Sequence, residues 1–404
     1  MSQRAHLFAL AVIALLGQNA FAQSTDYDVR FTIDGTKEGE YRVQMMVSQP
    51  NRLLREVRVD RIPDSLSAFE AKSGLTVVNR SMIWSPSEYG GALAWTAKPE
   101  TPDDSTVHHD PTWAMLRFED LIPPMATRTL KSAATRTRVV FNPPPGWSVV
   151  SAYPARDNAW VVDDDARRFD LPKGWLVMGE LAVRRDRLAD TRIAIAAPQG
   201  IGARQLDVMA FVAWHLPSYK ALFPNFPDRL LIAMAGDPMF RGGLSAPNSL
   251  FLHSDRPLIS GNGTSTLLHE LVHIGVGRSA ADGADWIVEG LAEYYSQELL
   301  ARSGSITRRR QQRTLSWFEE YSQSQPDLRA DSAQGPVMWR AVGVFAALDQ
   351  EIRATTNNEK SLDDVVKKIS QDSARLTLAE LRQATQAVIG AESTSLSDKE
   401  LDFE

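Results

Sequence analysis

The pentapeptide His269-Glu270-Leu271-Val272-His273 constrains the fold of this chain more than any other feature of the sequence. On an α-helix, residues i and i+4 lie on one face, so the two imidazoles can bind a single metal ion. Glu270 is then placed to reach a metal-bound water as a general base. The alternative is that both histidines are ordinary polar residues on an amphipathic helix.

A second helix is predicted to return antiparallel and bring a third ligand to the two histidines. Gly275 and Gly277 indicate the end of the first helix, and Asp285 is expected to be the N-cap residue of the next one. Glu289 lies one turn inside that second helix. Two imidazoles and one carboxylate leave a tetrahedral zinc ion with one open position, which is typical of hydrolytic sites.

The predicted site therefore holds one Zn²⁺ ion, with Glu270 as the catalytic base and three metal ligands: His269, His273 and Glu289. Glu293 lies one turn beyond Glu289. Its carboxylate is expected either to accept a hydrogen bond from the far nitrogen of a ligand histidine or to pair with a basic residue at the surface.

Composition excludes several kinds of site and partner. The chain has no cysteine, so disulfides and thiolate ligands are excluded and the metal must be held by nitrogen and oxygen. A net charge of −6 argues against a nucleic-acid partner. The basic run Arg308–Arg310 with Arg313 is typical of a solvated helix face.

The N-terminus has the pattern of a secretory signal peptide over residues 1–22. Arg4 precedes the apolar run Leu7–Leu16, and Ala20-Phe21-Ala22 fits a cleavage site. No later segment reaches about eighteen consecutive apolar residues, so no stable membrane insertion is expected after cleavage. The protein is predicted to be exported, either to the periplasm or to the medium. The sequence leaves its oligomeric state open.

Hydrophobic periodicity divides the chain into two domains of an α+β protein. Residues 23–197 alternate with period two, which predicts a β-sandwich-like N-terminal domain. Residues 198–404 are predicted to form the catalytic domain, with a helix at 203–222, short strands, the motif helix, and further helices near 285–302, 308–323, 335–356, 361–370 and 377–389. The apolar segment Asn248–His253 is expected to be an edge-like strand.

The metal motif, with Glu289-Gly290 and Tyr294 after it, resembles that of the gluzincin metallopeptidases. Within that group the chain is most similar to the glycyl aminopeptidase family, through Phe240–Leu244 and through the C-terminal segments 347–353 and 361–365. The resemblance implies an N-terminal β-domain packed on a thermolysin-like, mainly helical zinc peptidase domain. The PDZ-like module of that family has no counterpart in this sequence.

The sequence departs from the family pattern at the positions that bind the substrate amine and the oxyanion. Ser245 stands where related aminopeptidases have the glutamate that holds the free amine. Met338 or Trp339 falls where the family has an oxyanion-stabilising tyrosine, and Arg340 or His253 is a candidate substitute.

Two functions remain open from the sequence. The first is a zinc metallopeptidase that hydrolyses a peptide or protein through a metal-activated water, as an endopeptidase or an aminopeptidase. Its substrate would lie extended along Asn248–His253. The second is a zinc-binding scaffold or peptide-binding protein without turnover.

Overall fold

The computed structural model describes residues 25–102, 104–162, 169–322, 326–371 and 374–403. The signal peptide predicted over residues 1–22 lies outside these ranges, and it stays a prediction. Across the described ranges, no helix combines the length and the apolar character needed to cross a lipid bilayer.

The first part of the chain is built almost entirely from strands. Its elements are β1 (Asp26–Gly35), β2 (Tyr41–Ser48), β3 (Leu54–Val59), β4 (Leu66–Ala71), β5 (Leu75–Val78), β6 (Ser81–Trp84), β7 (Gly90–Ala97), β8 (His108–His109), β9 (Trp113–Arg117), the single-turn helix α1 (Phe118–Leu121), β10 (Ala126–Thr129), β11 (Ala134–Asn142), β12 (Ser148–Val150), β13 (Ala155–Arg156), β14 (Ala159–Val162) and β15 (Trp175–Gly179).

These strands form three sheets around a shared apolar core. One sheet has the order β13-β14-β11-β1-β2-β7-β4, the second β10-β3-β6-β5, and the third β12-β15-β9-β8. Alternation in the sequence explains which face is buried: in β1 the side chains of Tyr27, Val29, Phe31 and Ile33 all point into the core. The predicted period-two pattern is therefore confirmed as strands.

The second part of the chain adds a mixed sheet and a group of helices. Its elements are β16 (Leu181–Leu188), β17 (Thr191–Pro198), α2 (Gln205–Leu222), β18 (Arg229–Ala235), β19 (Gly243–Ala246), β20 (Ser249–His253), α3 (Thr266–Val276), α4 (Asp285–Arg302), α5 (Arg308–Tyr321), α6 (Pro336–Thr355), α7 (Leu362–Ile369), α8 (Leu378–Ile389) and α9 (Asp398–Leu401).

The mixed sheet has the order β16-β17-β18-β20-β19. Strands β16 and β17 come before the boundary predicted at residue 198, yet they belong to the same sheet as the strands that follow it. The expectation that Asn248–His253 is an edge strand is wrong, because β20 lies between β18 and β19. The edge is the short strand β19, whose small and polar residues Gly243–Ala246 gave no clear strand pattern in the sequence.

Helix α3 begins and ends with the local chemistry that the sequence indicated. The Ser265 hydroxyl accepts a hydrogen bond from the Leu268 N–H, and Gly277 ends the helix in the left-handed conformation with φ 66°. The prediction for Asp285 is wrong, because Ala284 is the N-cap residue of α4. The Asp285 carboxylate instead accepts a hydrogen bond from the Ala333 N–H at 2.8 Å, and so ties α4 to the segment before α6.

Trp175 of the third sheet ties the strand-rich part of the chain to the mixed sheet. Its indole N–H donates to the Leu244 carbonyl at 3.0 Å, and its backbone N–H donates to the Ser249 hydroxyl at 2.9 Å. Its ring packs against Phe251 in an apolar cluster that both sheets share. The edge strand β19 is therefore held from the side of the N-terminal sheets.

Candidate metal centre

The structure brings the three predicted ligands together at the facing surfaces of α3 and α4. The Nε2 atoms of His269 and His273 are 3.1 Å apart. The Glu289 carboxylate lies 3.3 Å from Nε2 of His269 and 3.4 Å from Nε2 of His273. Within the described part of the chain, this is the group of histidine and acidic side chains with the spacing of a metal site.

The donor triangle fits a tetrahedral zinc ion. Ligands bound at about 2.0–2.1 Å in a tetrahedron lie roughly 3.3–3.4 Å from one another. The two distances to Glu289, each from a different carboxylate oxygen, match this spacing, and the distance between the two imidazole nitrogens is slightly shorter at 3.1 Å. Nitrogen and carboxylate oxygen donors are also the set that zinc accepts in catalytic sites. The residues present therefore fit the ion, and the three side chains are 14%, 16% and 27% exposed for His269, His273 and Glu289.

Glu293 fixes the orientation of the first imidazole. Its Oε2 lies 3.1 Å from Nδ1 of His269, and its Oε1 accepts a hydrogen bond from the side-chain amide of Gln297 at 3.2 Å. A carboxylate can only accept, so Nδ1 of His269 donates to Glu293, and Nε2 is the atom that would bind a metal ion. Of the two roles considered for Glu293, the structure has the hydrogen bond to a ligand histidine.

The electrostatic environment favours a positive charge between the ligands. Burial lowers the pKa of the His269 imidazole, but hydrogen bonds to the carboxylates of Glu289 and Glu293 raise it well above its usual range. Burial raises the pKa of Glu289, and its hydrogen bonds to the two imidazoles outweigh burial and lower it. Carboxylates packed around two imidazoles produce the field that a divalent cation would neutralise.

Glu270 is held against the edge strand β19. Its Oε2 accepts a hydrogen bond from the Ser245 N–H at 2.8 Å. Strand and helix are close enough that a Cβ added at Gly243 would lie 2.8 Å from the Glu270 side chain. The second carboxylate oxygen, Oε1, has no such donor within the described structure. Ser245 therefore acts on the site through its backbone, which was not apparent from its side chain.

A cavity of about 300 Å³ opens over Glu270 and His269. The strand-side lining includes Phe240, Gly242 and Gly243, and the helical side includes Trp317, Phe318, Met338 and Trp339. The rings of Trp317 and Trp339 contact each other edge to face at 4.8 Å. Through the family resemblance the sequence placed Met338 or Trp339 near the site, but no motif indicated Trp317 and Phe318 of α5.

The two candidate oxyanion residues do not line this cavity. Arg340 points toward the C-terminus, where it donates to Asp402 at 2.8 Å and to the Pro326 carbonyl at 2.8 Å. His253 is 1% exposed, with Nε2 3.6 Å from the Asp237 carboxylate. Met338 and Trp339, in contrast, do line the cavity, so the position nearest the family tyrosine is apolar here.

The fold is that of the M1 zinc metallopeptidases, as solved structures of that class show. An aminopeptidase N family protein from Idiomarina loihiensis aligns with a TM-score of 0.65 and 13% identity, over 92% of this chain and 72% of that chain. An M1 zinc metallopeptidase variant from Deinococcus radiodurans bound to a Tyr-Ser-Ala substrate gives a TM-score of 0.61 and 16% identity, over 93% of each chain. A two-domain M1 metallopeptidase variant bound to L-arginine gives 0.62 and 15%, over 91% of each.

No protein-family model matches the chain, and no curated protein matches its sequence. At these low identities the structural likeness establishes the fold and leaves the activity to be argued from the site. The predicted α+β class and the predicted resemblance to zinc metallopeptidases are confirmed for the fold. The likeness to glycyl aminopeptidases in particular stays a prediction.

Proposed function

We propose that the protein is an exported zinc metallopeptidase that hydrolyses peptide bonds. The observation that carries this proposal is the convergence of His269, His273 and Glu289 in a triangle of tetrahedral dimensions, with Glu270 beside it under an open cavity. A zinc ion bound there would supply Lewis-acid chemistry, polarising the substrate carbonyl and lowering the pKa of water. The three ligands provide one site, and hence one ion.

In the proposed reaction Glu270 moves the proton. Its Oε2 is engaged by the Ser245 N–H, so the proton from the attacking water is accepted on Oε1. As the carbon–nitrogen bond breaks, Glu270 transfers that proton to the leaving amine. Glu293 keeps the His269 ring in the orientation and tautomer that the site requires.

The substrate would lie along the edge strand β19. Strand β20 has neighbours on both sides, so it cannot pair with a peptide as the sequence led us to expect. The backbone of β19 faces α3 across the mouth of the cavity, where an extended peptide would add to the sheet edge. A peptide as the substrate is supported by the structure neighbour that holds Tyr-Ser-Ala.

We infer that cleavage is not confined to the first residue of a peptide. The acidic residues lining the cavity are Glu270 and Glu293, and each already has a hydrogen-bond donor in the structure. Ser245 adds no negative charge for a free amine. Mass-spectrometric mapping of cleavage positions in a peptide mixture tests this inference, and loss of first residues alone would contradict it.

The activity is tested by comparing the parent protein with Glu270→Gln. We expect hydrolysis of a peptide library to fall by roughly 10²–10⁴-fold, while bound zinc measured by mass spectrometry is unchanged. Glu320→Gln removes one charge from the exposed surface of α5 and is the matched control. Equal hydrolysis by Glu270→Gln and the parent protein would refute the role of Glu270 as general base. Export is tested separately, by cell fractionation.

A zinc-binding protein without turnover is the second candidate. The observation that favours it is the apolar lining at Met338 and Trp339, where no hydroxyl is available to an oxyanion. Retained zinc with no product from any peptide in the library would favour this candidate. Turnover that depends on zinc would exclude it.

A further inference from the structure

Two arginines whose guanidinium groups have no partner among the described residues line the cleft beyond the metal centre. Arg256 lies in the wall of the cavity over Glu270, and Arg313 lies in the wall of an adjoining cavity of about 260 Å³. The two cavities share Asn262 and Trp317 in their linings, so they are neighbouring parts of one depression.

Two other arginines of helix α5 are already engaged. Arg308 pairs with Glu298 at 2.7 Å, and Arg310 donates to the Ser260 and Gly261 carbonyls at 2.8 and 3.3 Å. The Arg308 side chain is still 56% exposed, as expected for a solvated helix face, whereas Arg310 is partly buried against the loop at Ser260 and Gly261. In the described part of the chain, Arg313 makes no hydrogen bond or ion pair through its guanidinium.

The side chain of Arg256, like that of Arg313, makes no hydrogen bond or ion pair with the described residues. Its backbone carbonyl accepts a hydrogen bond from Arg204 at 3.4 Å, and its N–H donates to the His253 carbonyl. Its guanidinium has no partner among the residues that the structure describes. A guanidinium with free N–H groups at a cleft wall can donate two parallel hydrogen bonds to a carboxylate.

The backbone that carries Arg313 is held in place. The Thr314 hydroxyl donates to the Asn262 carbonyl at 2.6 Å, so the helix is fixed to the loop before α3. Gly263 in that loop approaches Thr314 so closely that an added Cβ would lie 3.0 Å from its hydroxyl oxygen. The guanidinium is therefore presented from a fixed base, which reduces the ordering needed on binding.

The charge pattern of the cleft favours an anionic substrate. The Glu293 carboxylate is hydrogen-bonded to His269, and the Glu270 carboxylate accepts a hydrogen bond from the Ser245 N–H of β19. The described lining of the two cavities contains no other acidic side chain, whereas Arg256 and Arg313 are unneutralised. Long-range attraction by the two arginines and short-range hydrogen bonds from their guanidinium groups would both favour binding of an anionic substrate.

We propose that Arg256 and Arg313 make this cleft select peptides that carry a carboxylate. The group is either the α-carboxylate at a peptide C-terminus or the side chain of aspartate or glutamate, which share the same chemistry. This inference rests on the proposed peptidase function and specifies the class of substrate.

The test is a binding measurement with the full-length Glu270→Gln variant loaded with zinc, so that peptides are not consumed. Four fluorescent peptides of one sequence have a free or amidated C-terminus, combined with glutamate or glutamine at one internal position. We expect a carboxylate to strengthen binding about fivefold per contact in fluorescence anisotropy, with the advantage shrinking as salt is added. The arm that shows the advantage identifies which carboxylate is recognised.

Arginine variants locate the effect. Arg256→Gln and Arg313→Gln are each expected to reduce the preference, and the double variant to abolish it. Arg309→Gln, on the same exposed helix but outside both cavities, should leave it unchanged. Equal affinity for all four peptides, or an equal loss in Arg309→Gln, would overturn the inference.

The outcome also separates this inference from the proposed function. If the parent protein cleaves all four peptides without regard to charge, the peptidase function stands and the selection by arginine is refuted. If none of the peptides is bound or cleaved, both are refuted.

Discussion

Gly290→Ala should separate helix α4, which carries Glu289, from helix α6. Gly290 follows the ligand Glu289 on α4 and faces α6. A Cβ at this position would lie 2.6 Å from the Cβ of Ala341 and 2.9 Å from the ring of Phe345. Real Cβ contacts are longer than this, so α4 and α6 must move apart or tilt.

The change in the free energy of unfolding caused by Gly290→Ala is the sum of two opposing effects. Alanine is favoured over glycine within a helix by about 1 kcal/mol. Overpacking a core costs about 1–3 kcal/mol, and the upper end applies because the closest atom is a Cβ fixed to a helix backbone. The net loss is therefore about 2 kcal/mol, which corresponds to roughly thirtyfold easier opening of the helix pair.

Hydrogen exchange measured by mass spectrometry reports this change directly. In Gly290→Ala, peptides from α4 and α6 should exchange about thirtyfold faster than in the parent protein. Zinc affinity should also fall, because Glu289 moves with helix α4. Gly343→Ala is the matched control, because an added Cβ on α6 there meets nothing within 4 Å. That variant should gain stability from helix propensity.

A second substitution tests the steric explanation. Ala341→Gly removes the atom nearest to the added Cβ, so it should recover part of the loss when combined with Gly290→Ala. A coupling of at least about 1 kcal/mol is expected in the double-mutant cycle. Unchanged protection in Gly290→Ala, or no coupling to Ala341→Gly, would refute the reasoning.

Two further predictions concern α4. Glu293→Gln should lower zinc affinity by about 10–100-fold in a competition titration, because the His269 Nδ1–H loses its charged acceptor; an unchanged affinity would contradict this role. Burial raises the pKa of Glu298, but hydrogen bonds from Arg308, Gln311 and Arg302 outweigh it, so the folded pKa lies below the unfolded value. The resulting stability is present above about pH 4.3, the usual glutamate pKa, and is lost as pH falls through the lowered value. Glu298→Gln should therefore cost about 1–2 kcal/mol at pH 7 and flatten the urea-unfolding stability profile below about pH 5; an unchanged slope would count against the ion pairs.

The sequence alone was sufficient to predict that His269, His273 and Glu289 lie together. The spacing of His269 and His273 fixes both imidazoles on one helix face, because helix geometry depends on neighbouring residues only. The helix containing Glu289 was predicted at 285–302, as the structure has it. Caps such as Ser265 and Gly277 are also local, so their chemistry could be read directly.

The tertiary structure decided what depends on residues distant in sequence. It placed β19 rather than β20 at the sheet edge, and it paired Asp285 with Ala333 rather than with a helix cap. It also gave partners to Arg308 and Arg310, whereas Arg313 has none for its guanidinium within the described ranges. A polar side chain has many possible partners along a chain, and only the packed fold selects one of them. Local periodicity carries no information about that choice. For this reason the grouping of His269, His273 and Glu289 was predictable, whereas the contribution of Arg256, Arg313 and Trp317 to the cleft was not.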